Sequence, residues 1–248
     1  MTQQGAPVTR RALLATLGPV KIVVLTGAGI SAESGVPTFR AADGLWEGHR
    51  VEDVATPEGF ERDPETVQRF YDDRRAHLST VAPNPAHVAL ARLEAQGDHD
   101  VLVVTQNVDD LHERAGSHDV LHMHGELLSA WCLACDGRFR WDGPLLDRPA
   151  CPGCGDQGLR PDIVWFGEYP YELDRIDEAL QRADLFVSIG TSGAVYPAAG
   201  FVRSAHAYGA RTLELNLEPT NGTDLFDEAR HGPAGTVVPA WVGELVAG

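Results

Sequence analysis

VVLTGAGISAESGVPTFR, running from Val23 to Arg40, decides how the rest of the chain is read. Ile22 to Leu25 form a short apolar run of the kind that makes a buried parallel strand, and the chain leaves it through Gly27, Ala28 and Gly29. Glycines at such an exit let the backbone turn tightly and come close to a ligand, and phosphate is the ligand chemistry that suits the turn. The loop carries only part of the dinucleotide fingerprint. Gly27 and Gly29 have its spacing, Gly35 falls at the wrong distance, and no acid closes a second strand about 20 residues on. Taken alone, the motif is equally a plain strand-to-helix connection.

Outward from this strand the pattern repeats. Val101–Thr105, Leu185–Ile189 and Thr212–Leu217 are apolar runs, each preceded by a helix-like stretch over Asn84–Gln96, Tyr171–Arg182 and Pro197–Tyr208. Such alternation predicts an α/β fold with a Rossmann-like, doubly wound parallel sheet, which binds ligands beyond the carboxyl ends of its strands. Two stretches break the alternation. Residues 44–82 are rich in charge and aromatics, with helical spacing of Val67, Phe70, Tyr71 and Leu78, and end at Pro83 and Pro85. Trp131–Arg160 is turn-rich and holds all four cysteines. Both read as insertions, so that a large domain takes residues 1–43, 84–128 and 161–248, a helical module 44–83 and a cysteine module 129–160.

Cys132, Cys135, Cys151 and Cys154 have the spacing C-x2-C-x15-C-x2-C, which sets two thiolate pairs on facing turns for tetrahedral zinc. Two disulfides would suit a secreted chain, and residues 1–20 offer a short apolar patch with no convincing secretory cleavage site. A cytoplasmic location is therefore the expectation, with no membrane span. Four thiolates close the coordination sphere, so the zinc is expected to be structural. The net charge of −16 disfavours nucleic acid as a direct partner and is otherwise ordinary solvation.

The segments TQNVDDLHERAG from Thr105, HMHGEL from His122, VWFGE from Val164, GTSGAVYPAAG from Gly190 and LNLEP from Leu215 decide what the glycine turn leaves open. With GAGIS, TFR, TQNVD, HGE, the paired CxxC, FGE, GTS and NLE in this order, the chain from Lys21 onward resembles the sirtuins, NAD-dependent protein-lysine deacylases. It is most similar to the bacterial class III members through Tyr71 and Arg74 in FYDDRR, TPEGF from Thr56, and Thr38 where many deacetylating relatives carry aspartate. Members combine a large Rossmann-like domain with a small one made of a zinc module and a helical module, which matches the two insertions.

The resemblance implies roles residue by residue. NAD, consumed as a co-substrate, would lie with its pyrophosphate against Gly27, Ala28 and Gly29, where N–H groups at the following helix start favour negative charge. Arg40 would contact it and Phe39 would shield the reacting ribose; Gln106, Asn107 and Asp109 would surround ribose and nicotinamide, Asn107 also serving in catalysis. Gly190, Thr191, Ser192, Asn216, Glu218 and Ala234 would meet the cofactor on the adenosine side. His124 is the expected base, since imidazole titrates near neutrality, whereas His122 reads as a hydrogen-bonded core residue, on the same face if both lie on one strand. In the implied reaction the acyl oxygen attacks the ribose carbon, nicotinamide leaves, and an alkylimidate forms. His124 then helps the neighbouring hydroxyl to attack it, and water releases lysine and O-acyl-ADP-ribose.

Spacing alone makes Tyr71 and Arg74 neighbours on one helix face; the resemblance makes them a grip for the carboxylate of a succinyl group, with Ala55 leaving room for the longer chain. Desuccinylation and deacetylation are both expected. The acyl-lysine peptide is expected as an extended strand between Val164–Glu168 and Gly193–Tyr196, with Val164, Phe166, Gly167, Glu168, Val195 and Tyr196 as contacts. Nothing in the sequence demands more than a monomer. A hydride-transferring oxidoreductase would need the complete fingerprint and a ribose acid, which this chain lacks; a zinc-ribbon binding module stays as a second alternative, whose acidity argues against nucleic acid as its target and whose non-catalytic, protein-binding form NAD consumption would test.

Overall fold

Side chains along a strand alternate between faces, so an apolar strand needs a helix layer on each side. The computed structural model describes residues 20–38, 45, 46, 48–96 and 98–246; Phe39, Arg40 and the first 19 residues lie outside these. The chain runs through β1 (Lys21–Thr26), the single turn α1 (Ala28–Ser31), the hairpin β2 (Leu45–Trp46) and β3 (His49–Arg50), and the helices α2 (Val51–Val54), α3 (Pro57–Arg62) and α4 (Pro64–Leu78). Then come α5 (Pro85–Gln96), β4 (Asp100–Thr105), α6 (Leu111–Ala115), β5 (Val120–His122), β6 (Gly125–Cys132), β7 (Arg138–Arg140) and β8 (Leu159–Ile163). It closes with α7 (Leu173–Arg182), β9 (Leu185–Ile189), α8 (Phe201–Ala207), β10 (Arg211–Asn216), β11 (Glu228–His231) and α9 (Ala234–Val246).

Among the described residues, β11, β10, β9, β1, β4 and β5 form one sheet in that order, every pair parallel. One face carries Ile22, Val24, Val101, Val103, Val187 and Leu213 against Leu90 and Leu93 of α5 and Val238, Trp241 and Val242 of α9. The other carries Val23, Leu25, Leu102, Val104 and Phe186 against Ile176 and Leu180 of α7 and Phe201, Val202 and Ala205 of α8. Each fully buried large side chain contributes roughly 1.5–3 kcal/mol. The chain builds outward from β1 to β4 and β5, then returns to β9 on the other side, which makes the carboxyl ends of β1 and β9 the topological switch point.

The sequence did not single out β5, β11 or α9. β5 is three residues long, β11 reads EARH without apolar alternation, and α9 contains Pro239. The expected helix over Pro197–Tyr208 opens instead as a 3-10 turn, Ala198–Gly200, before α8. Tyr171 and Glu172 precede α7, and Glu172 takes a left-handed φ of 57°.

Residues 51–78 fold into three helices whose starts are written in the sequence. Thr56 and Asp63 each precede a proline and cap the helix that follows, accepting from Gly59 N–H at 3.0 Å and Thr66 N–H at 3.1 Å. They pack Val67, Phe70, Tyr71 and Leu78 against Leu127, Ile163 and Trp165. The cysteine module is an antiparallel sheet, β7-β6-β8, over Ala130, Cys132, Leu145, Cys151 and Leu159.

Candidate active site

At the switch point, three loops meet backbone to backbone. Gly27 N–H donates to the Ile189 carbonyl at 3.0 Å, Gly29 N–H to Gly190 at 2.8 Å, and Gly190 N–H to Leu215 at 3.0 Å. A Cβ on Gly29 would lie 2.7 Å from Gly190, and one on Gly190, whose φ is +62°, would lie 2.5 Å from Ile30 N. No side chain fits there, so the loops form a bare backbone cradle of the sort a pyrophosphate approaches. The helix start is more modest than the sequence implies: α1 is one turn, and the N–H groups of Gly27 and Gly29 are already engaged.

Behind the cradle lies a buried polar cluster that the sequence did not reveal. Ser31 Oγ donates to Asp109 Oδ2 at 3.0 Å, accepts from Asn107 Nδ2 at 3.1 Å, and sits 3.4 Å from His87 Nε2. Asn84 N–H donates to His87 Nδ1 at 3.3 Å, which fixes the tautomer and makes Nε2 the donor to Ser31. Burial pulls the His87 imidazole down to about 4 and raises the Asp109 carboxyl, although Leu111 N–H and Ser31 donate to the latter. Beside them, His112 Nε2 meets Thr26 Oγ1 at 3.0 Å, Thr26 donates to Thr105 at 2.8 Å, and Thr105 Oγ1 accepts from Asn107 N–H at 3.0 Å.

His122 ends β5 and His124 lies in the turn before β6, so the two do not lie on one strand, and of the two it is His124 that lines the cavity. His122 donates to the Asn107 carbonyl at 3.0 Å and to Glu113 at 2.8 Å. Burial disfavours its charge, but Glu113 outweighs that, and the ring is held above its usual range as a structural imidazolium. His124 donates Nδ1–H to the Gln106 carbonyl at 3.2 Å, leaving Nε2 as the lone-pair nitrogen, and burial lowers the ring below its usual range. Together the histidines pin Gln106 and Asn107 by their carbonyls.

At the helical module, Ala55, Tyr71 and Arg74 face the same cavity as His124. Tyr71 is fully buried, and its hydroxyl oxygen accepts from Trp165 Nε1–H at 2.9 Å. The Arg74 guanidinium lies 3.1 Å from the centroid of the Phe70 ring and 5.0 Å from that of Trp46, with Nη1 donating to the Phe70 carbonyl at 2.7 Å. Trp165 is a residue the sequence passed over inside VWFGE.

In the segment expected to pair with a peptide, several amides are already used. Val164 N–H donates to His124, Phe166 N–H to Ala55, Trp165 N–H to the Glu168 carboxylate and Glu168 N–H to Trp165. Gly167, at φ +94°, keeps its N–H without a partner among the described residues. The Glu168 carboxylate is held by Arg160 at 2.7 and 2.9 Å, which makes it a brace of the loop. Across the cleft lie Val195 and the exposed Tyr196. On the cofactor's expected adenosine side, the Asn216 amide donates to the Thr191 carbonyl at 2.8 Å and accepts from Leu217 N–H at 2.9 Å, so it ties two loops together. Ser192 accepts from Ala194 N–H at 3.3 Å, Glu218 is exposed at the rim, and Ala234 begins α9, where Gly235 N–H is latched to Glu33 at 2.8 Å.

One cavity of about 1510 Å³ joins these parts. Its wall includes Gly27, Ala28, Gly29, Gln106, Asn107, Asp109, His124, Gly190, Thr191, Ser192, Asn216, Glu218 and Ala234, and also Ala55, Tyr71, Arg74, Val164, Phe166, Gly167, Glu168, Val195 and Tyr196. Away from it, the four cysteine sulfurs lie within 4.8 Å of one another, with Cys132–Cys154 and Cys135–Cys151 each at 3.7 Å. These separations are too long for a disulfide. They match the edge of about 3.8 Å in a tetrahedron of zinc–thiolate bonds.

Comparison with known proteins agrees with this geometry. The family model described as "Sir2 family" matches residues 27–197. An NAD-dependent protein deacylase of Pasteurella multocida is 56% identical over 230 residues, 92% of this chain and 98% of that protein. One of Yersinia pestis is 58% identical over 228 residues, 91% of this chain and 82% of that protein. Among solved structures, a Sir2 homolog–NAD complex superposes with a TM-score of 0.83 at 42% identity, covering 91% of this chain and 89% of that one. A Sir2 complex with an inhibitor, 2'-O-acetyl-ADP-ribose and deacetylated p53 peptide gives 0.76 at 32% identity, with 90% and 92% covered.

Proposed function

The chain belongs to the Sir2 family, and from that premise we propose that it removes acyl groups, succinyl and acetyl, from protein lysine side chains, consuming NAD and releasing nicotinamide and O-acyl-ADP-ribose. The observation that carries this reading is the single cavity whose wall includes the glycine cradle, His124 and the Tyr71–Arg74 pair. Both reactants then meet in one enclosed space, where orientation and exclusion of water lower the barrier.

In this reading the backbone of Gly27–Gly29 and Gly190 receives the NAD pyrophosphate, and Asn107 and Asp109, pinned through Ser31 and His122, hold the nicotinamide ribose end. His124 takes a proton at Nε2 from a ribose hydroxyl; its Nδ1–H bond to Gln106 keeps the correct nitrogen bare. Arg74 and Tyr71 receive the distal carboxylate of a succinyl group, a guanidinium and a phenol being suited to two carboxylate oxygens. The acyl-lysine peptide lies in the cleft between Gly167 and Val195–Tyr196, and backbone recognition at such a place reads little sequence. Cys132, Cys135, Cys151 and Cys154 hold one zinc ion, which closes the turn-rich module and takes no part in the chemistry. Free thiols arranged for a metal fit a reducing, cytoplasmic setting, and the acidity of the chain argues against nucleic acid as a direct partner. The same reading treats the protein as a monomer. Among the described residues, no helix is long and apolar enough to cross a membrane.

The test is mass spectrometry of paired succinyl-lysine and acetyl-lysine peptides, with and without NAD, for wild type and His124→Ala. The expected result is NAD-dependent loss of both acyl groups with O-acyl-ADP-ribose formed, and a fall of roughly 10²–10⁴-fold in kcat for the variant. Binding of NAD with no change in either peptide would overturn the reading.

A further inference from the structure

We propose that Trp165 is a specificity-determining residue, its indole N–H committing the Tyr71 hydroxyl to donate into the acyl end of the cavity. The inference rests on the carboxylate reading above and assigns the residue that makes the pocket one-sided. Tyr71 is fully buried, and its oxygen accepts from Trp165 Nε1–H at 2.9 Å. An indole nitrogen is a donor only, so the phenol proton cannot be given back to it and must point elsewhere. No other hydrogen-bond partner of the Tyr71 hydroxyl occurs among the described residues. Burial also raises the phenol far above its usual range, so the proton stays on the oxygen.

Trp165 has no freedom to turn its N–H away. The Arg160 guanidinium lies 3.4 Å from its ring centroid, Phe60 packs at 5.2 Å, and the Trp165 backbone N–H is bound to Glu168 at 2.8 Å. Arg160 is itself buried, fastened to Glu168 and to the Ile163 carbonyl at 2.7 Å. In the carboxylate reading the Arg74 guanidinium also donates there, so the acyl end offers donors. An acyl tail ending in a carboxylate, which only accepts, satisfies them. A terminal carboxamide of the same shape turns an NH2 group toward a donor and leaves a buried clash of like polarity.

The experiment measures kcat/KM for acetyl-, succinyl- and succinamyl-lysine peptides, the last carrying a terminal amide, with wild type, Trp165→Phe, Tyr71→Phe, the Trp165→Phe/Tyr71→Phe pair and Arg74→Met. Trp165→Phe keeps a ring for Arg160 to stack on and loses the N–H. The expected outcome is a fall of about tenfold in the succinyl-to-acetyl ratio, carried mainly by KM, with a matching loss of discrimination between succinyl and succinamyl. Because both changes act through one hydroxyl, the double variant falls no further than Tyr71→Phe alone. An unchanged ratio in Trp165→Phe, while Arg74→Met collapses it, overturns the proposal and leaves the carboxylate reading standing. An unchanged ratio in Arg74→Met overturns both. If Trp165→Phe folds poorly, benzothienylalanine at position 165, with sulfur in place of N–H at the same ring size, makes the same comparison.

Discussion

At the carboxyl ends of β1 and β9 three glycines approach so closely that no Cβ fits, whereas the other end of the same cavity is walled by the side chains of Trp46, Tyr71, Arg74 and Trp165. In the proposed function, one end recognises its ligand through backbone held in place by interlocked loops, and the other through aromatic and cationic groups held by one another. Backbone recognition needs absences, a residue without a side chain at the right position, and it tolerates no addition. Side-chain recognition needs a particular set of functional groups, and it degrades by steps as they are removed. The polar cluster of Ser31, His87, Asn107 and Asp109 supports the first end with buried hydrogen bonds, while Arg160 and Glu168 support the second with an ion pair.

The sharpest test of this contrast is Gly190→Ala. A Cβ there meets Ile30 N at 2.5 Å in a left-handed conformation, so strain and overpacking combine to roughly 2–5 kcal/mol. Denaturant melts are expected to show that loss, and calorimetric titration with NAD to show binding lost with it. Full stability and NAD affinity in the variant would remove the argument for a bare backbone cradle.

Acid should damage the two ends unequally. His87 is depressed from about 6.5 in the unfolded chain to about 4 in the folded one, so its contribution to stability is complete above pH 6.5 and is lost as pH falls toward 4. By linkage this amounts to about 3 kcal/mol. Unfolding free energy measured between pH 7 and pH 4 is expected to drop in wild type, the similarly depressed and buried His112 adding to the loss, and the drop is expected to be smaller by about that amount in His87→Gln. At the side-chain end, the Tyr71 phenol is shifted upward, out of this window.

The smallest effect belongs to Arg74→Met, which leaves the backbone end intact. The ratio of kcat/KM for succinyl over acetyl peptides is expected to fall about 10- to 30-fold, the worth of one charge-assisted hydrogen-bonded pair. NAD affinity measured on the same variant should stay within a few-fold of wild type. Equal losses at both ends would show that the cavity behaves as one unit and not as two.

Much of the backbone end is legible in the amino-acid sequence. Glycines at a strand exit, apolar runs at regular intervals and paired CxxC turns are local signals, fixed by what a strand, a turn or a tetrahedral metal requires of neighbouring residues. The side-chain end is legible only in part. Tyr71 and Arg74 stand three apart on one helix, but Trp165 comes from a segment 94 residues further on, and only the packing of α4 against β8 brings its N–H to the Tyr71 oxygen. His87, near the start of α5, gives no sign in the sequence of reaching Ser31 across 56 residues.

The sequence by itself determined the parallel sheet, the cysteine cluster and the presence of a glycine turn, because each follows from periodicity or spacing within a short stretch. Tertiary structure decided which hydrogen bonds those residues make. It split His122 from His124, engaged the N–H groups of Gly27 and Gly29, bound the Glu168 carboxylate to Arg160, and aimed the Tyr71 hydroxyl. A hydrogen bond depends on a few tenths of an ångström and on direction, and neither is set until distant elements have packed together.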